Sequence, residues 1–297
     1  MKKFSILAFV FLTHFCIAQD SLRTRIEQIA KSAKGIVGVS IMNIETGDTL
    51  TLNGKAHLPM QSVFKFPIAM AILNKVDSGK LSLDKKIHLK KEDMIPKTWS
   101  PLRDKYPNGN VDISIRDLLS YVVSQSDNVA CDVLLEVLGG PKYVENYMHS
   151  LGIKGIAIEF TEAQMHSAWD IQYKNWCEPN EMMHLLNGFY AGKYLSKSST
   201  TLLVKIMEET VTSPKRLKGL LPEGTTVAHK SGTSGTNTDS VAAATNDVGI
   251  ITLPNGKHII MAAFVSDAKA NDASRDLVIA KIARAVYDCV LRNKPLR

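Results

Sequence analysis

Gln61-Ser62-Val63-Phe64-Lys65-Phe66-Pro67 carries a Ser-x-x-Lys tetrapeptide at the head of an apolar run that extends to Val76. On a helix, residues i and i+3 share a face with Cβ atoms about 5–6 Å apart, which brings Ser62 and Lys65 within hydrogen-bond reach. A serine hydroxyl is a weak nucleophile until a neighbouring base takes its proton, and a lysine in surroundings that depress its pKa is such a base. If Ser62 begins the helix, unpaired N–H groups and the positive dipole end point at the reacting atom. The same tetrapeptide recurs at Ser82/Lys85 and Ser266/Lys269. The first of these lies in a polar segment after Gly79, and the second reads as the exit turn of a strand. Only Ser62 opens a long apolar segment.

Outward from this helix, the chain reads helix, strands, helical block, strands, helix. Ser21 to Ala33 has helical spacing. Gly35 to Ile44 is Val/Ile-rich and alternating, and after the turn at Glu45-Thr46-Gly47-Asp48, Thr49 to Leu52 returns as a hairpin partner. Residues 80–113 are mixed and polar, with prolines and Gly109 marking loops. Helical patterns follow at Ser114 to Ser124, Val129 to Leu138, Lys142 to Leu151, Glu181 to Tyr190 and Ser198 to Glu208. Residues 154–180 lack sustained periodicity, and so long a loop in a compact domain is usually functional or disordered. The last third supplies strands at Thr225 to His229, Val248 to Thr252 and His258 to Val265, then a closing helix, Asp272 to Leu291. The two strand regions are expected to share one antiparallel sheet. This is an α/β (α+β layered) fold: a discontinuous α/β domain of residues 19–58 and 212–297, with an all-α domain, 59–211, inserted in it. The active site is expected where the two meet.

The chain of 297 residues is 45% apolar and 22% charged, which suits a globular protein with a sizeable core. Residues 1–18 read as a secretory signal: Lys2 and Lys3, the apolar Phe4 to Leu12, then Cys16-Ile17-Ala18 before the cleavage point. The apolar run is too short to span a membrane. A soluble, exported, periplasmic monomer starting near Gln19 is expected. Its formal charge of +7 falls to about +5 without Lys2 and Lys3, and no basic run resembles a nucleic-acid arm. Cys131, Cys177 and Cys289 remain after cleavage, with no C-x-x-C spacing, so neither a disulfide framework nor a zinc site is indicated. Three partly buried thiols are expected, with a single disulfide as the open alternative.

Two further segments offer what an acylating serine needs. In Ser126-Asp127-Asn128, the serine can relay a proton to a leaving nitrogen and the asparagine amide can hold a substrate carbonyl. Ser126 or Asp127 also suits the cap of the next helix. Tyr173-Lys174-Asn175 competes for the relay role from the irregular region. In Lys230-Ser231-Gly232-Thr233, at a strand end, Lys230 supplies positive charge and Ser231 a hydroxyl for an anionic substrate group. Gly232 lets the backbone come close, and the Thr233 N–H can join the Ser62 N–H around a developing oxyanion.

Ser-x-x-Lys opening a helix, Ser-Asp-Asn between helices and Lys-Ser-Gly ending a strand together resemble the serine β-lactamase and penicillin-binding-protein superfamily, over about residues 21–292. Within it the chain resembles the class A β-lactamases. That resemblance implies a glutamate in the irregular loop that activates water against an acyl-enzyme, and Glu162 of Phe160-Thr161-Glu162-Ala163-Gln164-Met165-His166 matches it. His166 stands where an asparagine often helps hold that water. Lys-Ser-Gly replaces the common Lys-Thr-Gly, and the arginine many members carry on the following strand is missing from Val241 to Thr245; Arg216 is its natural substitute. Trp99 matches the aromatic at the cleft rim. His166 and Arg216 fit a divergent subgroup found largely in Bacteroidota that includes extended-spectrum cephalosporinases. The resemblance implies no metal or organic cofactor, a small-molecule β-lactam substrate, and carboxylate binding by Ser231 and Arg216. A low-molecular-weight penicillin-binding protein (D,D-peptidase) and an exported β-lactam-sensing domain are the alternatives at this stage.

Overall fold

The computed structural model describes residues 21–165 and 167–296. The first half of the chain runs α1 (Leu22–Lys31), β1 (Ile36–Asn43), β2 (Thr49–Leu52), β3 (Leu58–Pro59), a 3-10 turn (Gln61–Phe64), α2 (Lys65–Asp77), β4 (Lys86–Leu89), α3 (Pro101–Lys105), β5 (Val111–Ser114), α4 (Ile115–Ser124), α5 (Asn128–Leu138) and α6 (Pro141–Ser150). The second half runs β6 (Ile156–Ala157), α7 (Glu162–Met165), a 3-10 turn (Trp169–Tyr173), β7 (Trp176–Cys177), α8 (Pro179–Tyr190), α9 (Lys197–Glu208), β8 (Val227–Thr233), β9 (Thr245–Thr252), β10 (His258–Ser266) and α10 (Asp272–Leu291).

Five strands form one antiparallel sheet in the order β2-β1-β10-β9-β8, so both ends of the chain meet in it. Successive residues of a strand face opposite sides. On β10, Ile259, Met261, Ala263 and Val265 pack with Ile26 of α1 and Val278, Ile282 and Val286 of α10. Ile260, Ala262 and Phe264 face the other way, into the core shared with the helical block. That two-sided burial explains the uninterrupted apolar run of β10, since a central strand has no solvent face.

Helix α2 is the axis of the helical block. Every residue from Lys65 to Leu73 is buried, the mark of a helix surrounded by others, and it contacts α4, α5, α6 and α9. Ser114 caps α4 by accepting the Asp117 N–H, and Gly139 closes α5 in the left-handed conformation.

Three elements differ from the sequence expectation. Ser62 does not begin α2. It sits in the preceding 3-10 turn, and the α-helix starts at Lys65. Residues 80–113 are not all loop: β4 and β5 pair as a two-stranded ribbon, Lys86 opposite Ser114, a contact too distant in sequence for any local pattern to signal. Strand β9 begins at Thr245 rather than Val248, because its polar residues Thr245, Asn246 and Asp247 are buried. Cys131, Cys177 and Cys289 are all free thiols, which removes the disulfide alternative. Among the described residues no helix is long and apolar enough to cross a membrane. The signal segment 1–18 lies outside the described residues.

Candidate active site

In a 3-10 turn, residues i and i+3 eclipse one another, so the geometry places Lys65 directly over Ser62. Lys65 Nζ lies 3.1 Å from Ser62 Oγ. The lysine is fully buried and is held by three more acceptors: Glu162 Oε1 at 2.8 Å, the Ser126 carbonyl at 2.8 Å and Asn128 Oδ1 at 2.5 Å. Glu162 Oε1 is also 3.4 Å from Ser62 Oγ. That separation is at the long end of direct hydrogen-bond reach, the Ser62 hydroxyl donating to the carboxylate. The Ser62 hydroxyl thus lies beside two groups able to take a proton, one three residues on and one a hundred residues away. The other Ser-x-x-Lys copies assemble no such set: Ser82 and Lys85 meet only in a backbone turn.

Asp127, 0% exposed, is the N-cap of α5, accepting the Ala130 N–H at 2.9 Å. It also takes Ser100 Oγ–H and the Leu102 N–H, at 2.9 and 2.7 Å, and so fastens the 99–102 turn to α5. Capping and chemistry thus coexist in one tripeptide, with Asp127 turned inward while Ser126 and Asn128 line the cleft. Asn128 Nδ2 donates to Thr98 Oγ1 at 2.6 Å, and the Trp99 indole N–H donates to the Gln125 carbonyl at 2.9 Å. Trp99 is 61% exposed and forms one rim.

Strand β8 forms the opposite wall. The Thr226 carbonyl accepts from Thr252 of β9 and the Ser234 N–H donates to Ala244 just before β9, so alternation in an antiparallel pair turns the Ser231 and Thr233 N–H groups off the free edge of the sheet, toward Ser62. Lys230 Nζ, fully buried, donates to Ser126 Oγ and the Ser231 carbonyl, both at 2.8 Å. Burial pushes its pKa well below the ordinary lysine value, and the neighbouring Lys65 charge pushes the same way. A loosely held proton thus sits one hydrogen bond from Ser126. Ser231 Oγ is 2.9 Å from Thr212 Oγ1. A Cβ on Gly232 would stand 2.4 Å from the Met60 carbonyl, so only glycine allows β8 this close to the nucleophile's turn.

Arg216 is 5% exposed and does not line the cleft. Its guanidinium donates to the Gly232 and Asn246 carbonyls at 2.9 Å each, to Thr233 Oγ1 at 2.7 Å, and to Asp276 at 2.7 Å. These bonds run to protein acceptors and support β8 from behind. Tyr173, the rival relay, bonds to Asp267 and is not in the cleft lining. His166 lies outside the described residues.

The irregular segment is ordered by side chains that serve its backbone. Buried Asn175 accepts the Glu159 and Phe160 N–H groups at 2.9 and 3.0 Å. Asp132 accepts those of Glu162 and Ala163 at 2.8 and 3.0 Å, which aims Glu162 into the cleft. Burial pushes the Asp132 carboxyl up to about 6; the two N–H bonds oppose this, and the Glu162 charge adds to it. Asp132 escaped the sequence reading, although it lies four residues after Asn128 on one face of α5.

Ser62, Trp99, Ser126, Asn128, Glu162 and Ser231 line a cleft of about 300 Å³. Four of its lining residues, Gln61, Lys97, Ser126 and Ser213, are non-glycine residues with φ between +47° and +59°. Each such conformation costs of order 1 kcal/mol and persists only where surroundings impose it.

Sheet, helical block and cleft define the class as that of the β-lactamases. Residues 21–290 match the family model described as Beta-lactamase enzyme family, and the chain belongs to that family. It is 44% identical to the β-lactamase VEB-1 of Pseudomonas aeruginosa over 97% of each chain. It is 38% identical to a β-lactamase of Bacteroides uniformis over 98% of this chain and all of the other. Among solved structures, a β-lactamase from Chitinophaga pinensis is 53% identical with a TM-score of 0.89, covering 91% of this chain and 99% of the other. The fold is that of the class A enzymes, including one from Bacteroides cellulosilyticus.

Proposed function

We propose that this chain hydrolyses the amide bond of β-lactams through a covalent serine acyl-enzyme, with penicillins and cephalosporins as substrates and antibiotic resistance as the outcome. The observation that carries the reading is Ser62 Oγ within reach of both Lys65 Nζ, at 3.1 Å, and Glu162 Oε1, at 3.4 Å. Ser62 Oγ attacks the lactam carbonyl as its proton passes to Lys65, or to Glu162 through water. The oxyanion forms between the Ser62 and Thr233 N–H groups; loss of one such donor elsewhere costs about 10²–10³ in turnover. As the C–N bond breaks, Ser126 protonates the ring nitrogen and is resupplied from Lys230. Glu162 then takes a proton from water, which attacks the ester carbonyl and releases Ser62 and the opened acid.

In this reading Asn128 and Trp99 contact the acyl side chain. Ser231 and Thr233 receive the substrate carboxylate, with the Arg216 charge behind Thr233. His166 steadies the hydrolytic water. The cleft is the seam between the α/β half, 19–58 and 212–297, and the inserted half, 59–211. Acyl transfer of this kind needs no metal or organic cofactor. The enzyme works as an exported periplasmic monomer, cleaved near residue 18, which N-terminal sequencing of the mature protein tests. Class A relatives favour hydrolysis over the stable acylation of a D,D-peptidase or a sensor.

Steady-state turnover of the chromogenic cephalosporin nitrocefin is expected, and a single stoichiometric burst would sink the hydrolase reading. Glu162→Gln is expected to accumulate an acyl-enzyme visible by intact mass. Wild-type turnover in that variant would mean Glu162 is not the deacylating base.

A further inference from the structure

The proposed oxyanion pocket needs two N–H groups at one point, and they come from separate parts of the chain. Ser62 belongs to the 3-10 turn before α2, and Thr233 to the free edge of β8. Asn246, on β9, is bonded to both. It pairs with Gly232 in the sheet register, one residue from Thr233. Its side-chain Nδ2 crosses to the other part, donating to the Pro59 carbonyl at 2.8 Å and the Met60 carbonyl at 3.0 Å. These carbonyls immediately precede Gln61, which holds φ at +47°, and Ser62 itself. The left-handed Gln61 is a conformation the chain relaxes out of unless the segment before it is pinned. A third tie closes the loop: Arg216 Nη1 bridges the Asn246 and Gly232 carbonyls while Nη2 holds Thr233 Oγ1.

Asn246 is costly for stability alone. It is 0% exposed, the second residue of the buried strand β9. Its Oδ1 has no hydrogen-bond partner among the described residues, an omission of the sort that costs about 1–3 kcal/mol. Both donor hydrogens, by contrast, are engaged on consecutive carbonyls. A group retained for its donors at the expense of its acceptor is the pattern expected where function overrides local optimisation.

We infer that Asn246 is the positioning residue that sets the distance between the Ser62 and Thr233 donors, acting through the Pro59 and Met60 carbonyls, an inference that rests on the acyl-transfer reading above. It touches no substrate. Its removal is expected to loosen the oxyanion pocket while the cleft that binds the ground state stays as it is.

Asn246→Leu keeps the shape and removes both donors; Asn246→Ser keeps at most one. Three quantities separate positioning from mere support. Nitrocefin kcat, normalised to burst-titrated sites so that unfolded protein does not count, is expected to fall 10–100-fold in Asn246→Leu and less in Asn246→Ser. The inhibition constant of phenylboronic acid, which forms a tetrahedral adduct on Ser62, is expected to rise in parallel. The Kd for non-covalent cephalosporin binding, measured with Ser62→Ala added, is expected to stay within twofold. A variant with a lowered Tm but kcat and boronate affinity within threefold of wild type overturns the inference, as does a loss confined to ground-state binding. If Asn246→Leu does not fold, Asn246→Ser decides by the same criteria. A wild-type chain that fails to turn over nitrocefin overturns the reading of function instead, so the two failures are distinguishable.

Discussion

Replacing Asp132 with asparagine is expected to be more favourable for stability at pH 8 than at pH 3.5. The Asp132 carboxyl stands at about 6 in the fold, against an ordinary 3.8, chiefly because burial penalises its charge. At 1.36 kcal/mol per pH unit, that difference is about 3 kcal/mol. A raised acid pKa means that the folded state binds the proton more tightly than the unfolded chain. Stability is therefore greatest below pH 3.8, declines as pH rises from 3.8 to about 6, and stays lower above it. This is the reverse of a salt-bridged aspartate. Asparagine carries no charge to desolvate, so the stability difference between variant and wild type is expected to be up to about 3 kcal/mol more favourable to the variant at pH 8 than at pH 3.5. A cost common to both pH values accompanies it, because the Glu162 and Ala163 N–H groups bond to different carboxylate oxygens and the asparagine Nδ2 cannot accept. The relative gain at pH 8 should come with slower deacylation, because Glu162 is less firmly aimed, a stability–activity exchange typical of active sites. Urea unfolding of both proteins at pH 3.5 and pH 8, with nitrocefin kcat at pH 8, measures both effects. Equal stability differences at the two pH values would refute the reasoning.

Two other substitutions test neighbouring parts of the site. Gly232→Ala puts a methyl 2.4 Å from the Met60 carbonyl, so β8 and the nucleophile's turn must part by most of an ångström; kcat/KM is expected to fall about 100-fold while circular dichroism shows a folded protein. Tyr173→Phe removes only the bond to Asp267, so nitrocefin kcat is expected to remain within twofold and stability to drop by about 1 kcal/mol or less; a hundredfold loss of kcat would restore Tyr173 as the proton relay.

The site was legible wherever its chemistry is local. Ser62 and Lys65 are three residues apart, Ser126 and Asn128 flank a helix cap, and Lys230 to Thr233 follow one another on a strand, so turn geometry alone groups each set. The Val/Ile-rich alternation of β1, the apolar run of β10 and the apolar spacing of α10 announced the layered fold for the same reason. Residues whose meaning depends on a distant partner were missed or misplaced. Asp132 matters because the backbone at 162–163 arrives beside it. Thr245, Asn246 and Asp247 look too polar for a buried strand until Pro59, Met60 and Arg216 appear as their neighbours. The charge of Arg216 was visible in the sequence, and its four protein acceptors were not.

Returning to Gln61-Ser62-Val63-Phe64-Lys65, the sequence by itself determined that a serine and a lysine share one turn at the head of a buried helix, since that pairing depends only on backbone periodicity. Tertiary structure alone decided that the turn is 3-10, with α2 starting three residues later. It also brought Glu162 to 2.8 Å from the lysine, Lys230 to 2.8 Å from Ser126, and the Asn246 amide against the carbonyls before Ser62. The physical reason is one of range. Torsional preferences act over a few residues, whereas the separations that matter here run from 100 to 187 residues of chain and are fixed only when the cores on either side of the sheet are packed.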